Sequence, residues 1–309
     1  MRVGILGFGS LGRAAEQVCM RSKSVELVGV FTRREPQYVG SVSGRVYPVS
    51  RLKQTREEVD VLLVCLGSSS GLTEAVLGLL EDFNTVDVYD NHSKLPDHLS
   101  RLDGVARSYG RVALGAVGWD PGLLSCIRAY SSAFLGEGSF STFWGPGVSQ
   151  GHTEALKRVA GVRDALQITV PDERAMSLAS GGVNVGARIR HRRKCYIIPE
   201  SEHEKDRITD AVLDIDGYFK GQRVDIEFTD DLSAYRNTAH RGRVICRGER
   251  GESMDFDLEL LSNAEFTAQV MVACANAALR LAGAGQFGSY SLLDIPPSML
   301  LGDGGLSLL

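Results

Sequence analysis

The 309-residue chain has the length of about two domains, each able to build its own core. Its composition, 43% hydrophobic and 23% charged, is ordinary for a soluble globular protein. A formal net charge of −4 gives no electrostatic case for nucleic acid or an anionic membrane, and no apolar run reaches the length of a bilayer span. Residues 1–12 are apolar after one Arg, but glycines break the run and no small-residue cleavage site follows, so no signal peptide is expected. The cysteines at 19, 65, 126, 195, 246 and 274 show no Cys-x-x-Cys and no zinc-site spacing. They read as reduced, buried thiols of a cytoplasmic protein without a metal centre.

In chain order, residues 3–6 predict a strand and 13–21 a helix, followed by strands at 26–32, 60–66, 85–89 and 112–117. The 60–66 run is nearly all Val and Leu, as expected of a strand covered on both faces. Strand–helix–strand alternation predicts an α/β domain with a doubly wound parallel sheet of the Rossmann type. The character changes after Trp119-Asp120-Pro121-Gly122. Strands at 141–144, 165–170, 194–198, 223–228 and 243–247, with helices at 152–159 and 204–214, predict a second, α+β domain with a mixed or antiparallel sheet. A long helix at 266–282 follows Asn263 and is placed back against the first domain. The expected division is 1–118 with 264–309 for nucleotide binding, and 119–263 for the second domain.

Gly7-Phe8-Gly9-Ser10-Leu11-Gly12 matches G-x-G-x-x-G directly between a strand and a helix, the context that separates it from an ordinary Gly-rich turn. The glycines allow a tight turn and close approach of backbone to a pyrophosphate, and the helix N-terminus offers free amides and a positive dipole end. At the end of the second strand, where NAD enzymes usually carry Asp or Glu, the chain reads Thr32-Arg33-Arg34. Two guanidinium groups there suit a 2′-phosphate and so NADP, the alternative being a solvated surface pair.

Ligands of such sheets bind beyond the carboxyl ends of the strands, where Asp90 and Asp120 stand. Two carboxylates near a nicotinamide suit a cationic amine that must give up a proton as hydride leaves its α-carbon. Taken singly, each also reads as a turn-former, in Asp-Asn and Asp-Pro-Gly. Gly145-Pro146-Gly147-Val148-Ser149-Gln150-Gly151-His152 either binds a carboxylate through its amides or is a rigid loop. His191-Arg192-Arg193-Lys194 reads as a solvated charge run, and His240 alone is ambiguous. The residues by themselves indicate an NADP oxidoreductase acting on an amine.

Longer strings carry a resemblance. Val-Asp-Val-Tyr-Asp-Asn-His at 86–92, Gly-Trp-Asp-Pro-Gly at 118–122 and Phe-Trp-Gly-Pro-Gly-Val-Ser-Gln-Gly-His at 143–152 resemble the meso-diaminopimelate dehydrogenases. Phe-Thr-Arg-Arg at 31–34, Gln-Ile-Thr-Val-Pro at 167–171 and Asn-Ala-Glu-Phe-Thr-Ala at 263–268 match in the same order, and the similarity spans residues 2–296. The resemblance implies reversible NADP-dependent oxidative deamination of the D-centre of meso-2,6-diaminopimelate, giving L-2-amino-6-oxopimelate and ammonia. It also implies a homodimer formed through the second domain. By position, Asp90 and Asp120 match the acids holding the reacting amine, while Trp144, Gln150 and Gly151 match pocket-lining residues. Thr169, Arg193 and His240 match the group binding the far carboxylate, and Asn263 a residue near the distal amine. Trp119 joins the expected substrate contacts. Gly67, Ser68, Ser69, Ser70, His92, Lys94, Pro121, Gly122 and Ser125 complete the expected cofactor contacts.

Two features depart from the family pattern. His240 is followed by Arg241-Gly242-Arg243, two extra cations beside the expected pocket, and residues 302–309 form a short glycine-rich end in place of a longer final helix. Two other readings compete: a related dehydrogenase of another diamino or D-amino acid, and a non-catalytic NADP-binding sensor. A sensor has no need of the two amine-handling acids.

Overall fold

The computed structural model describes residues 1–67, 71–236 and 238–301; Ser68, Ser69, Ser70 and the terminal segment 302–309 lie outside the described residues, as does the side chain of Gln150. The chain divides into two compact units, Met1–Cys126 with Asn263–Leu309, and Ile127–Ser262.

In the first unit, short Val- and Leu-rich runs alternate with amphipathic stretches and build a parallel sheet covered on both faces. Its elements are β1 (Arg2–Leu6), α1 (Ser10–Arg21), β2 (Glu26–Thr32), β3 (Val46–Pro48), β4 (Val61–Val64), α2 (Leu72–Leu77), β5 (Asn84–Asp87), α3 (Leu95–Ser108) and β6 (Val112–Leu114). After the second unit the chain returns as α8 (Asn263–Gly283), β14 (Gly288–Tyr290) and α9 (Pro297–Leu300). The strands lie in the order β14-β6-β5-β4-β1-β2-β3, every neighbouring pair parallel. Strand order reverses beside β1, the switch point at which doubly wound sheets open a crevice for ligands.

Strand β4 shows how the sequence produces the layers. Val61 and Leu63 join a core with Ala14, Val18, Met271 and Ala275, from α1 and α8. Leu62 and Val64 point the other way, to Leu72, Val76, Leu102 and Ala106 of α2 and α3. All four β4 side chains are fully buried, and each such burial stabilises the fold by roughly 1.5–3 kcal/mol. Alanines 275, 277 and 278 are buried in α8, whose small side chains let it lie close to its neighbours.

Several strands end sooner than the hydrophobic runs predict, because polar contacts take over where the loops begin. Strand β5 stops at Asp87, whose side chain accepts the Tyr89 amide at 2.9 Å. Strand β6 stops at Leu114, and Ala116 takes a left-handed conformation with φ of 56°. At the other end of the pair, Asn84 Oδ1 accepts the Val112 amide at 2.9 Å and fixes where β6 starts. The three-residue strands β3 and β14 carry too little pattern to be predicted.

Helix α4 (Leu123–Leu135) leads into the second unit, which contains β7 (Gly138–Trp144), β8 (Gly147–Val148), α5 (Gln150–Lys157), β9 (Val162–Pro171), α6 (Glu173–Ser180), β10 (His191–Pro199), α7 (Lys205–Leu213), β11 (Val224–Phe228), β12 (His240–Gly248) and β13 (Ser253–Leu260). One sheet, β11-β10-β9-β8, is mixed: β10 and β11 run parallel, the other pairs antiparallel. The other, β13-β12-β7, is antiparallel. Strand β13 is an addition to the predicted set, although Ser-Met-Asp-Phe-Asp-Leu-Glu-Leu alternates strictly. Helix α6 is another, begun by Asp172, whose carboxylate accepts the Ala175 amide at 2.9 Å. Among the described residues no helix is long and apolar enough to cross a membrane, and no group of His, Cys, Asp and Glu is arranged to hold a metal ion. Cys19, Cys65, Cys195, Cys246 and Cys274 are buried thiols.

Candidate active site

The glycine loop is built as a phosphate cradle requires. Gly7 has φ of 95°, and a Cβ there would lie 2.7 Å from the Cys65 carbonyl oxygen. A Cβ on Gly12 would sit 2.1 Å from the Gly7 carbonyl oxygen, so the start of α1 closes on the turn only with glycine there. Among the described residues, a Cβ on Gly9 would meet nothing within 4 Å, which leaves space at the helix N-terminus. No side chain caps α1 and no acid stands in its first turn, so its first amides and dipole are available to an anion. Thr32 is buried at the end of β2, and its hydroxyl accepts the Arg34 amide at 3.2 Å. The Arg34 guanidinium donates to the Phe8 carbonyl, which ties it to the glycine loop. Arg33 and Arg34 are exposed and form no ion pair with an acid among the described residues. Open space at Gly9, an acid-free helix start and two unpaired guanidiniums fit a dinucleotide with a 2′-phosphate. Gly67 follows β4, Leu11 lies in the first turn of α1, and Ser10 opens that helix. His92 and Lys94 lie on a short 3-10 turn, His92–Lys94, capped by Asn91.

Asp90 is exposed three residues beyond β5, and Asp120 is partly buried beyond β6. Because the sheet is parallel, both stand at the same edge as the glycine loop. The turn holding Asp120 is tight: a Cβ on Gly122, at φ of 130°, would lie 2.1 Å from the Gly118 carbonyl oxygen. Trp119 pairs with Gly122 across it, the Asp120–Pro121 peptide is cis, and Ser125 Oγ accepts the Gly122 amide at 3.3 Å. Asn263 opens α8 and accepts a hydrogen bond from Thr267 Oγ1 at 3.3 Å.

The remaining expected contacts belong to the second unit. Register pairs Thr169 of β9 with Arg193 of β10 and with Gly147 of β8. Arg193 Nη1 donates to Thr169 Oγ1 at 2.7 Å, while its Nε is buried without a partner among the described residues. No acid pairs with this guanidinium there either; burial holds it below its ordinary pKa. His240 opens β12, and its Nε2 meets the Val148 carbonyl at 2.7 Å. Burial lowers its pKa, which favours the neutral ring at neutral pH. Thr169, Arg193 and His240 thus gather around β8, with a cation lacking its anion. The strand separates the basic run predicted to be solvated: Arg192 and Lys194 are exposed, while His191 and Arg193 turn inward. In the 145–152 stretch, the amides of Gly145 and Ser149 bond the carbonyls of Arg241 and Gln167. Any anion there falls to the first turn of α5, where Gln150 and Gly151 stand. Arg241 pairs with Glu259 at 2.9 Å, and Arg243 with Asp255 and Asp257 at 3.4 Å, so acids of β13 balance the two extra cations.

One contact beside the site escaped the sequence reading. The Trp144 amide donates to His191 Nε2 at 2.8 Å, and the two rings stack with centroids 4.8 Å apart. Burial, then the charges of Arg193 and Arg190, push His191 down to about 3. The folded protein therefore keeps this ring neutral where the unfolded chain protonates it, below pH about 6.5. Stability falls as pH drops, by about 2 kcal/mol between pH 7 and 5. His191→Gln, which keeps an acceptor for the Trp144 amide, should show a smaller fall in melting temperature over that interval. An identical fall in both proteins contradicts this assignment.

Residues 118–263 match the family model described as diaminopimelic acid dehydrogenase C-terminal domain. Meso-diaminopimelate D-dehydrogenase of Lysinibacillus sphaericus is 37% identical, over 97% of this chain and 95% of that protein. The Corynebacterium glutamicum protein of the same name is 35% identical, with the same coverage. The structure of C. glutamicum DAP dehydrogenase in complex with DAP superposes with a TM-score of 0.94 at 34% identity, covering 100% of this chain and 98% of that one. An engineered D-amino acid dehydrogenase bound to NADP+ gives 0.90 at 33% identity, again covering 100% and 98%. At that identity over nearly the whole length, the chain belongs to the meso-diaminopimelate D-dehydrogenase family.

Proposed function

We propose that the protein oxidatively deaminates meso-2,6-diaminopimelate at its D-centre with NADP, reversibly, giving L-2-amino-6-oxopimelate, ammonia and NADPH. When bound, NADP accepts a hydride from the α-carbon. The chain's own residues do the rest. Asp90 and Asp120 hold the reacting nitrogen and move its proton, and water then replaces the nitrogen, its oxygen becoming that of the ketone. Arg193, Thr169 and His240 bind the far carboxylate, Asn263 stands near the distal amine, and Trp119, Trp144, Gln150 and Gly151 line the substrate. The glycine loop, Thr32, Arg33, Arg34, Gly67, Ser68, Ser69, Ser70, His92, Lys94, Pro121, Gly122 and Ser125 serve the cofactor. The observation that carries the reading is the partly buried Arg193, bonded to Thr169 and without an acidic partner among the described residues. Such a cation calls for an anionic group on the ligand, and a second carboxylate distinguishes this substrate from amino acids with one polar end. A comparison of meso-diaminopimelate with D-lysine tests this. D-lysine keeps the distal amine but lacks the distal carboxylate, and its kcat/KM should be at least about a hundredfold lower. Equal efficiency overturns the proposal and favours a D-amino-acid dehydrogenase of wider range.

Cofactor choice gives a second test. Charge-assisted bonds contribute roughly 1.5–3 kcal/mol each. NADP should be strongly preferred over NAD, and replacing Arg33 and Arg34 with neutral residues should erode the preference by more than about tenfold. Equal use of both coenzymes by the unmodified protein contradicts this role. The working form is a cytoplasmic homodimer joined through the second domain, and sedimentation at twice the protomer mass is the expected result.

A further inference from the structure

We propose that Asp87 is a positioning residue that fixes, through a single carboxylate, both loops carrying the acids assigned to the substrate amine. Asp87 ends β5 and is fully buried, as is His98 of α3. A buried carboxylate is costly unless its oxygens are satisfied, and the donors to this one are specific. Oδ1 accepts the Tyr89 amide at 2.9 Å, one residue before Asp90, and the Ala116 amide at 3.3 Å, four residues before Asp120. The backbone carbonyl of Asp87 accepts the Val117 amide at 2.9 Å. Oδ2 meets His98 Nε2 at 3.1 Å, and His98 Nδ1 meets Thr73 Oγ1 at 2.9 Å. The carboxylate is therefore held from behind by α3 and α2 while it holds the β5 and β6 loops in front.

Neighbouring features serve the same junction. The Tyr89 ring stacks on His98 with centroids 4.2 Å apart, pinning the turn before Asp90. A Cβ on Gly115 would lie 3.2 Å from His98 Nε2 and 2.8 Å from the Leu99 side chain, so glycine lets the β6 loop approach. Ala116, left-handed at φ of 56°, is the only such non-glycine among the described residues, and its amide is one that Asp87 accepts. A non-glycine residue in that conformation persists where surrounding contacts enforce it. Asp87 sets the spacing between Asp90 and Asp120 without touching substrate.

This inference rests on the assignment of Asp90 and Asp120 to the amine, and the test separates the two. Asp90→Asn alone probes the assignment. Asp87→Ala should lower kcat for deamination at least about thirtyfold while NADP affinity, read by fluorescence, changes less than about threefold. In the Asp90→Asn background the same change should cost clearly less than in the unmodified protein, since the part acting through Asp90 is already lost and only the part acting through Asp120 remains. Asp87→Asn, which can still accept both amides if the His98 contacts reverse, should recover most of the loss. If Asp87→Ala does not fold, His98→Leu decides: it removes the rear contact and should lower kcat at least about fivefold. A kcat within twofold of the unmodified protein for Asp87→Ala or His98→Leu overturns the proposal, as does a fully multiplicative loss in the double variant. No loss in Asp90→Asn overturns the underlying assignment instead.

Discussion

Asp90→Asn and Asp120→Asn should each lower turnover at least about a hundredfold, the scale of acid–base contributions to catalysis. Hydride leaves the α-carbon only as the nitrogen lone pair forms the imine, so the substrate ammonium must first lose a proton. Nearby carboxylates favour the ammonium, which helps binding but raises the pKa of the substrate amine. Deamination should therefore accelerate toward alkaline pH. Reductive amination, which needs free ammonia and a protonated imine, should peak lower. The Asn variants keep the shape, lose the charge and turn one acceptor oxygen into an N–H donor. NADP affinity should stay near normal, because the loop from Gly7 to Gly12 is untouched. Turnover against pH for both variants, beside NADP binding, checks this. Near-normal turnover and pH dependence in both would mean that the two acids are turn residues only.

Arg193→Leu should raise KM for meso-diaminopimelate at least about thirtyfold, equivalent to losing one charge-assisted interaction of about 2 kcal/mol. The variant is informative because removing this cation breaks no ion pair among the described residues. Its guanidinium has no acidic partner among the described residues, and burial already disfavours its charged form, so Leu leaves no carboxylate stranded. Thr169 keeps its contact with Gln167, at 3.3 Å, so the β9 side of the group survives. NADP binding should not change. An unaltered KM excludes Arg193 from the far carboxylate.

What the sequence reveals and what it hides divide along physical lines. The glycine loop is legible because its requirement is local: Gly7 needs a positive φ and Gly12 needs room, and both show as glycine in the motif. Asp90 and Asp120 are legible as acids at the ends of apolar runs, since a parallel sheet gathers those ends on one edge. The 191–194 run misleads as a string of charges because alternation along β10, not composition, decides which members turn inward. Asp87 is hidden inside Val-Asp-Val-Tyr, where it reads as one more strand residue. Its meaning depends on His98, brought to it by the fold of α3. His191 is hidden for the same reason, since its partner Trp144 lies on another strand. Strand β13 was readable, because its alternation is complete. The ends of β5 and β6 were not, because a side chain and a left-handed residue set them rather than a loss of hydrophobicity.

The central claim is that the chain removes an amine from meso-diaminopimelate by hydride transfer to NADP. The most direct measurement follows absorbance at 340 nm with the unmodified protein, meso-diaminopimelate and NADP, alongside determination of ammonia. One NADPH and one ammonia for each substrate molecule consumed is the predicted result. No NADPH, or NADPH formed without ammonia, contradicts it.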